Sequence, residues 1–162
     1  SPLEHMVHQC LSEDTWMKNM LGISVSLSPL PASETRLEFL AHYAAASGER
    51  LTVLESMSAV WFEEHTSFFD VSRSRAWILT RRLTHSAHHR GQLIVYLRLW
   101  GQSLYSTYGP TADTGGLFQN GARVIYRYPN VSHLVAAERA GGDYPPLPGP
   151  GSTSPTERPD PT

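Results

Sequence analysis

Two histidines four residues apart, His85 and His89, lie in the run Thr84-His85-Ser86-Ala87-His88-His89-Arg90-Gly91-Gln92. On a helix, residues four apart share a face, so both imidazoles can reach one cation. Imidazole is the commonest protein ligand for metals, and two ligands on one rigid element give up little freedom on binding. A catalytic zinc usually takes three protein ligands and keeps one position for water. His5 and His8, three apart near the start of the chain, are the candidates for a third ligand, and the residues alone do not choose between them. His88 is turned about 100° from His89 around a helix and faces elsewhere. The plain alternative is that the pair are exposed or hydrogen-bonded histidines that hold no metal.

Other chemistries are less well supported. In the metalloprotease pattern His-Glu-x-x-His the glutamate is the general base. Ser86 holds that position here and cannot accept a proton near neutral pH. Glu13, Asp14, Glu63 and Glu64 are the carboxylates that could replace it, and nothing in the sequence selects among them. Gly115-Gly116 lacks the Gly-Lys-Ser/Thr that follows in a phosphate-binding loop. Cys10 falls on an apolar stripe and reads as core rather than nucleophile. Asn130-Val131-Ser132 fits the glycosylation pattern, as a chance match in a chain that does not read as secreted.

The elements that must position these residues read as helices. Ser1 caps the first, Pro2 suits its first turn, and Glu4 completes a Ser-x-x-Glu capping box. Leu3, Val7, Cys10, Asp14, Met17 and Leu21 follow at helical spacing, and Gly22 is a natural stop. A Ser- and Pro-rich loop spans 24–31. Ser33 is expected to cap a second helix through Leu37, Leu40, Ala44, Leu51, Leu54 and Met57, with Gly48 marking a weak point. The aromatic stretch 61–70 is expected to be a loop covering one end of the core. Asp70 or Ser72 would cap a third helix running to about Trp100, ended by Gly101. Apolar residues on several sides of that helix predict deep burial in a bundle, and Gly91 reads as a point of close helix packing. Residues 123–128 suggest a short strand or extended arm, and 131–140 a short helix.

The whole is long enough for one helical domain, residues 1–140, with a disordered tail rich in Pro, Gly and Ser at 141–162. A net charge of −2 gives no broad attraction to nucleic acid or anionic membranes. A single cysteine rules out a disulfide framework and favours a reducing, cytoplasmic location. No apolar run approaches the ~20 residues of a membrane span, and no signal peptide is visible.

The segment His85-Ser86-Ala87-His88-His89-Arg90-Gly91-Gln92 resembles the fourth-helix signature of the DinB-like superfamily, His-x-x-x-His-Arg-Gly-Gln. Leu3-Glu4-His5-Met6-Val7-His8 through Glu13 and Trp16, Trp77 through Arg81-Arg82, and Tyr108-Gly109-Pro110-Thr111-Ala112-Asp113 are similar to the same family in order. The resemblance covers roughly residues 1–117. It implies an all-α, up-down four-helix bundle with a divalent metal, Zn or Ni, held by one histidine of the second helix and two of the fourth. Carried onto this chain, those are His8, His85 and His89, with His8 preferred over His5 because it precedes an acidic residue and an aromatic. Gln92, one turn beyond His89, would hydrogen-bond behind a ligand. The helix that precedes the second in family members has no counterpart in this sequence, so either an apolar flank is exposed, which a homodimer would help to cover, or the sequence is incomplete. Some relatives are thiol transferases or isomerases in which the metal activates a low-molecular-weight thiol such as mycothiol or bacillithiol. The reading is therefore a metal-dependent enzyme of hydrolase or thiol-transferase type acting on a small molecule. The alternative is a non-catalytic metal-binding or interaction protein of the same fold.

Overall fold

The computed structural model describes residues 1–153. It is mostly helical, with five α-helices and one two-stranded sheet among the described residues, compatible with a DinB-like helical fold. The chain divides into two compact units, Ser1–Leu93 and Ile94–Thr162.

In the first unit, α1 spans Pro2–Leu21. The Ser1 hydroxyl accepts from Glu4 N at 3.4 Å, as the capping box requires. Gly22 ends the helix with φ 71°, a conformation that costs other residues free energy. Helix α2 spans Arg36–Glu55 and runs through Gly48 uninterrupted. Its cap is Thr35, not Ser33: the Thr35 hydroxyl accepts from Glu38 N at 3.3 Å. The physical reason is the partner three residues on, since Thr35-Arg36-Leu37-Glu38 is a capping box and Ser33 has Arg36 at that place.

The aromatic stretch is not a plain loop. It holds a short helix, α3 (Ala59–Glu63), and a hairpin of β1 (His65–Phe68) and β2 (Val71–Ser74), paired His65 with Ser74 and Phe68 with Val71. Alternation half-buries Thr66 and Phe68, and Phe68 meets Trp16 at 5.2 Å between ring centroids. Strand β2 occupies residues through Ser74, so α4 (Arg75–Leu99) starts after both expected caps. Ser74 takes their role, its hydroxyl accepting from Trp77 N at 3.3 Å.

The core of this unit is Trp16, Met17, Met20, Leu21, Ile23 and Ile78, with Val53, Leu54, Trp61, Phe68 and Leu79 packed against it. Cys10 is also buried, and burial foremost pushes its thiol up to about 11, which leaves it no nucleophile. Helix α4 is less embedded than its apolar content predicts. Only Ile78 and Arg82 of it are buried, while Trp77 and Leu83 stand 41% and 69% exposed.

Polar groups are buried between these helices as well. Glu13 of α1 accepts from Arg50 of α2 at 3.1 Å, from Arg82 of α4 at 3.3 Å, and from the Tyr43 hydroxyl of α2. Arg50 also reaches Asp14 at 3.2 Å. Burial, with the Glu13 carboxylate beside it, pushes the Tyr43 hydroxyl up to about 12.

The second unit begins within α4. Gln102 N donates to Leu97 O at 2.9 Å and Gly101 N to Arg98 O at 3.0 Å, with Gly101 at φ 69°. This is a Schellman stop at the expected glycine. Asp113 accepts from Leu104 N and pairs with Arg98, each at 2.6 Å. Residues 123–128 form no strand; Ser106 N donates to Ile125 O at 2.9 Å, which fits the extended arm. Helix α5 spans Val131–Arg139, and the Asn130 side chain caps it by accepting from His133 N at 3.0 Å. Of the segment expected to be disordered, 141–153 makes defined contacts: Gly149 N donates to Asp113 O at 2.9 Å, and Arg127 lies 3.5 Å over the Tyr144 ring. Residues 154–162 of that segment lie outside the described residues.

Removing one member of a buried charge cluster leaves the others uncompensated, which typically costs about 3–5 kcal/mol. Glu13→Ala is expected to destabilise the chain by about that amount in urea denaturation. A loss below about 1 kcal/mol would show that the cluster is solvated.

Candidate metal centre

Two helices supply the site. Helix α1 contributes His5 and His8, and α4 contributes Arg82, His85, His89 and Gln92. Ligand atoms of His8, His85 and His89 all lie within 4.8 Å of one another. His8 Nε2 and His85 Nε2 are 3.4 Å apart, and the His8 and His89 ring centroids 4.7 Å. His85 and His89 are half-buried and His8 is exposed, so the cluster reaches solvent on the α1 side. His5 stands beside it, with its Nδ1 3.3 Å from His89 Nδ1, and is not one of the three converging residues.

The surroundings of the rings differ. His89 Nδ1 meets Gln92 Oε1 at 2.7 Å, the contact anticipated from their spacing. An amide oxygen accepts, so this contact places the His89 proton on Nδ1 and leaves the lone pair on Nε2. His85 Nδ1 faces the Arg82 guanidinium at 2.9 Å. Trp16 packs against the same ring, with 5.6 Å between centroids. Burial lowers the pKa of His85 to about 4, helped by the Arg82 charge and the neighbouring histidines. Burial, then His89 and Arg82, lowers His8, and burial, then His89, lowers His5. Neutral imidazoles are the form that binds metal, and the three converging rings could together hold a metal ion.

The remaining expectations divide. His88 is exposed and outside the converging three, 5.1 Å from His89 between centroids. Gly91 does not serve close packing, because a Cβ built there meets nothing within 4 Å. None of the four carboxylates joins the cluster. Glu64 pairs with Arg75 at 2.5 Å, and Glu13 reaches the histidines only through Arg82. Arg82 is the residue that the sequence did not point to as part of the site. Its spacing of three from His85 puts it on the same face, which was the available signal.

A helical protein that gathers three histidines from two helices is thereby defined. The DinB family model matches residues 1–116, and the chain belongs to the DinB family. No functionally described protein and no solved structure shows significant similarity to it. No helix among the described residues is long and apolar enough to cross a membrane.

A lowered histidine pKa has a definite consequence for stability. Between the ordinary value of 6.5 and about 4, the unfolded chain binds a proton at His85 that the folded chain refuses. Stability should therefore fall as pH drops through that window and be recovered above 6.5. NMR titration of chelator-treated protein is expected to show the His85 ring neutral at pH 5.5, and a midpoint near the ordinary histidine value would contradict the buried setting.

Proposed function

We propose that His8, His85 and His89 bind a divalent cation, zinc or nickel, and that the protein is a metal-dependent enzyme of hydrolase or thiol-transferase type acting on a small molecule. The convergence of three imidazoles within 4.8 Å, with His8 open to solvent, carries this reading. Three protein ligands with one accessible position is the usual arrangement of a catalytic site, whereas structural sites are closed by four. His5 is the residue that would close the site, and it stands outside the converging three.

When bound, such a cation supplies Lewis acidity that lowers the pKa of a water or a low-molecular-weight thiol. The chain's own groups do the positioning. Gln92 orients His89 through Nδ1, and the indole of Trp16 fixes one side of His85. We read α1, α2 and α4 as three helices of an up-down bundle that holds these groups in register. Exposed Trp77 and Leu83 support a homodimer in which a second copy covers that flank. The single cysteine supports a cytoplasmic setting. A net charge of −2 supports a small-molecule substrate rather than a nucleic acid or membrane.

The second reading, a non-catalytic metal-binding or interaction protein, draws on one observation. The converging group contains no carboxylate that could serve as a base. X-ray absorption of the zinc-loaded protein separates the two, because an enzyme should show three nitrogen ligands and one exchangeable oxygen.

Zinc titration tests the site itself. His89→Ala is expected to abolish binding, and His88→Ala to leave it almost unchanged. Gln92→Ala should weaken affinity about tenfold by freeing the ring it orients. Equal losses in the His88 and His89 variants would place the site on another face of α4.

A further inference from the structure

Arg82 is 2% exposed and its guanidinium has five N–H groups and no acceptor. Nη1 donates to Ser12 Oγ at 2.8 Å and faces His85 Nδ1 at 2.9 Å. Nη2 donates to Gln9 O at 3.2 Å, to Gln9 Oε1 at 3.4 Å and to Glu13 Oε2 at 3.3 Å. Because a guanidinium only donates, His85 Nδ1 accepts. A neutral imidazole carries one ring proton, which the contact therefore places on Nε2. That N–H points at His8 Nε2, 3.4 Å away. His89 is held the other way round, with its proton on Nδ1 toward Gln92. Two histidines four residues apart on one helix are thus set in opposite tautomers, one by an obligate donor and one by an acceptor.

The two settings differ in what they allow. His89 offers a lone pair at Nε2 as it stands. His85 cannot offer one there while Nδ1 accepts from Arg82, because both ring nitrogens would then have to be unprotonated. Histidines that bind metals donate their second ring N–H to a carbonyl or carboxylate, and a guanidinium is the opposite of such a partner.

Building on the three-histidine reading above, we propose that Arg82 competes with the metal for His85. Ligation through Nε2 requires the ring proton to move to Nδ1 and the Arg82 N–H to leave that nitrogen. The ring keeps one proton throughout, so no proton is released from His85. Arg82 keeps its bonds to Ser12, Gln9 and Glu13. It is a positioning residue that sets affinity through the His85 tautomer, and it ties metal uptake to the buried carboxylate shared by α1, α2 and α4.

Long-range proton–nitrogen NMR of the wild-type chain reads the tautomers directly. Before zinc, the expected result is His85 protonated on Nε2 and His89 on Nδ1. At saturating zinc, both rings should carry the proton on Nδ1, with Nε2 metallated. A His85 proton already on Nδ1 before zinc, or metallation of His85 at Nδ1, would overturn the proposal. Arg82→Lys keeps the charge facing Glu13 but loses the fork, and is expected to bind zinc about tenfold more tightly. Unchanged affinity in this variant, with binding still lost in His89→Ala, would overturn the role of Arg82 alone. A wild-type chain that binds no zinc would overturn the metal reading as well. If Arg82→Lys fails to fold, the wild-type NMR decides.

Discussion

The first unit is organised around one carboxylate. Glu13 is buried with two guanidinium groups and a phenol around it, each from a position fixed by its own helix. A lone buried carboxylate would be prohibitively costly, and so would two unpaired arginines. Together they become tolerable, but only where α1, α2 and α4 meet in the correct phase. Apolar contacts among Met17, Leu21, Val53 and Ile78 supply the area burial that favours collapse. They are forgiving about rotation, since Leu and Met adapt their shape. The Glu13 cluster is not forgiving, because its hydrogen bonds have fixed lengths and directions. It therefore bears on which face of α1 meets α4, and hence on whether His8 faces His85.

The cluster and the histidines are also chemically continuous. Arg82 belongs to both, touching Glu13 on one side and His85 on the other. This dual membership explains why no carboxylate needs to reach the histidines directly. The acid is present one residue removed, with its charge already satisfied. The histidine cluster therefore has a buried arginine behind it, and no carboxylate is among the three converging residues.

Legibility from the sequence followed the locality of each signal. Helix ends written into one short motif were readable: Ser1 with Glu4, Gly22, and Gly101 all stand where their chemistry implied. The start of α2 was misplaced because Ser33 and Thr35 are both good caps, and only the capping-box partner Glu38 separates them. The hairpin was hidden because its two-residue turn, Phe69-Asp70, carries none of the usual Asn-Gly signal. Phe69 takes a positive φ of 53°, rarely seen for an aromatic residue. For the site, the spacing of His85 and His89 reported a shared face without any tertiary knowledge. The choice of His8 over His5 did not follow from spacing, because the phase of α1 against α4 is a tertiary quantity; family resemblance made it, and the structure brings His8 to the pair. Arg82 went unrecognised because a position on a helix face does not say which of several acceptors it will meet.

Cys10 carries a consequence of another kind. It is the only thiol in the chain, it lies 3% exposed, and burial holds it protonated. A thiol in that state reacts with a disulfide reagent only when the surrounding helices part. Labelling at this one atom therefore counts openings of the first unit and nothing else. The protein carries, one helical turn before Glu13, its own clock for how often its interior is exposed to water.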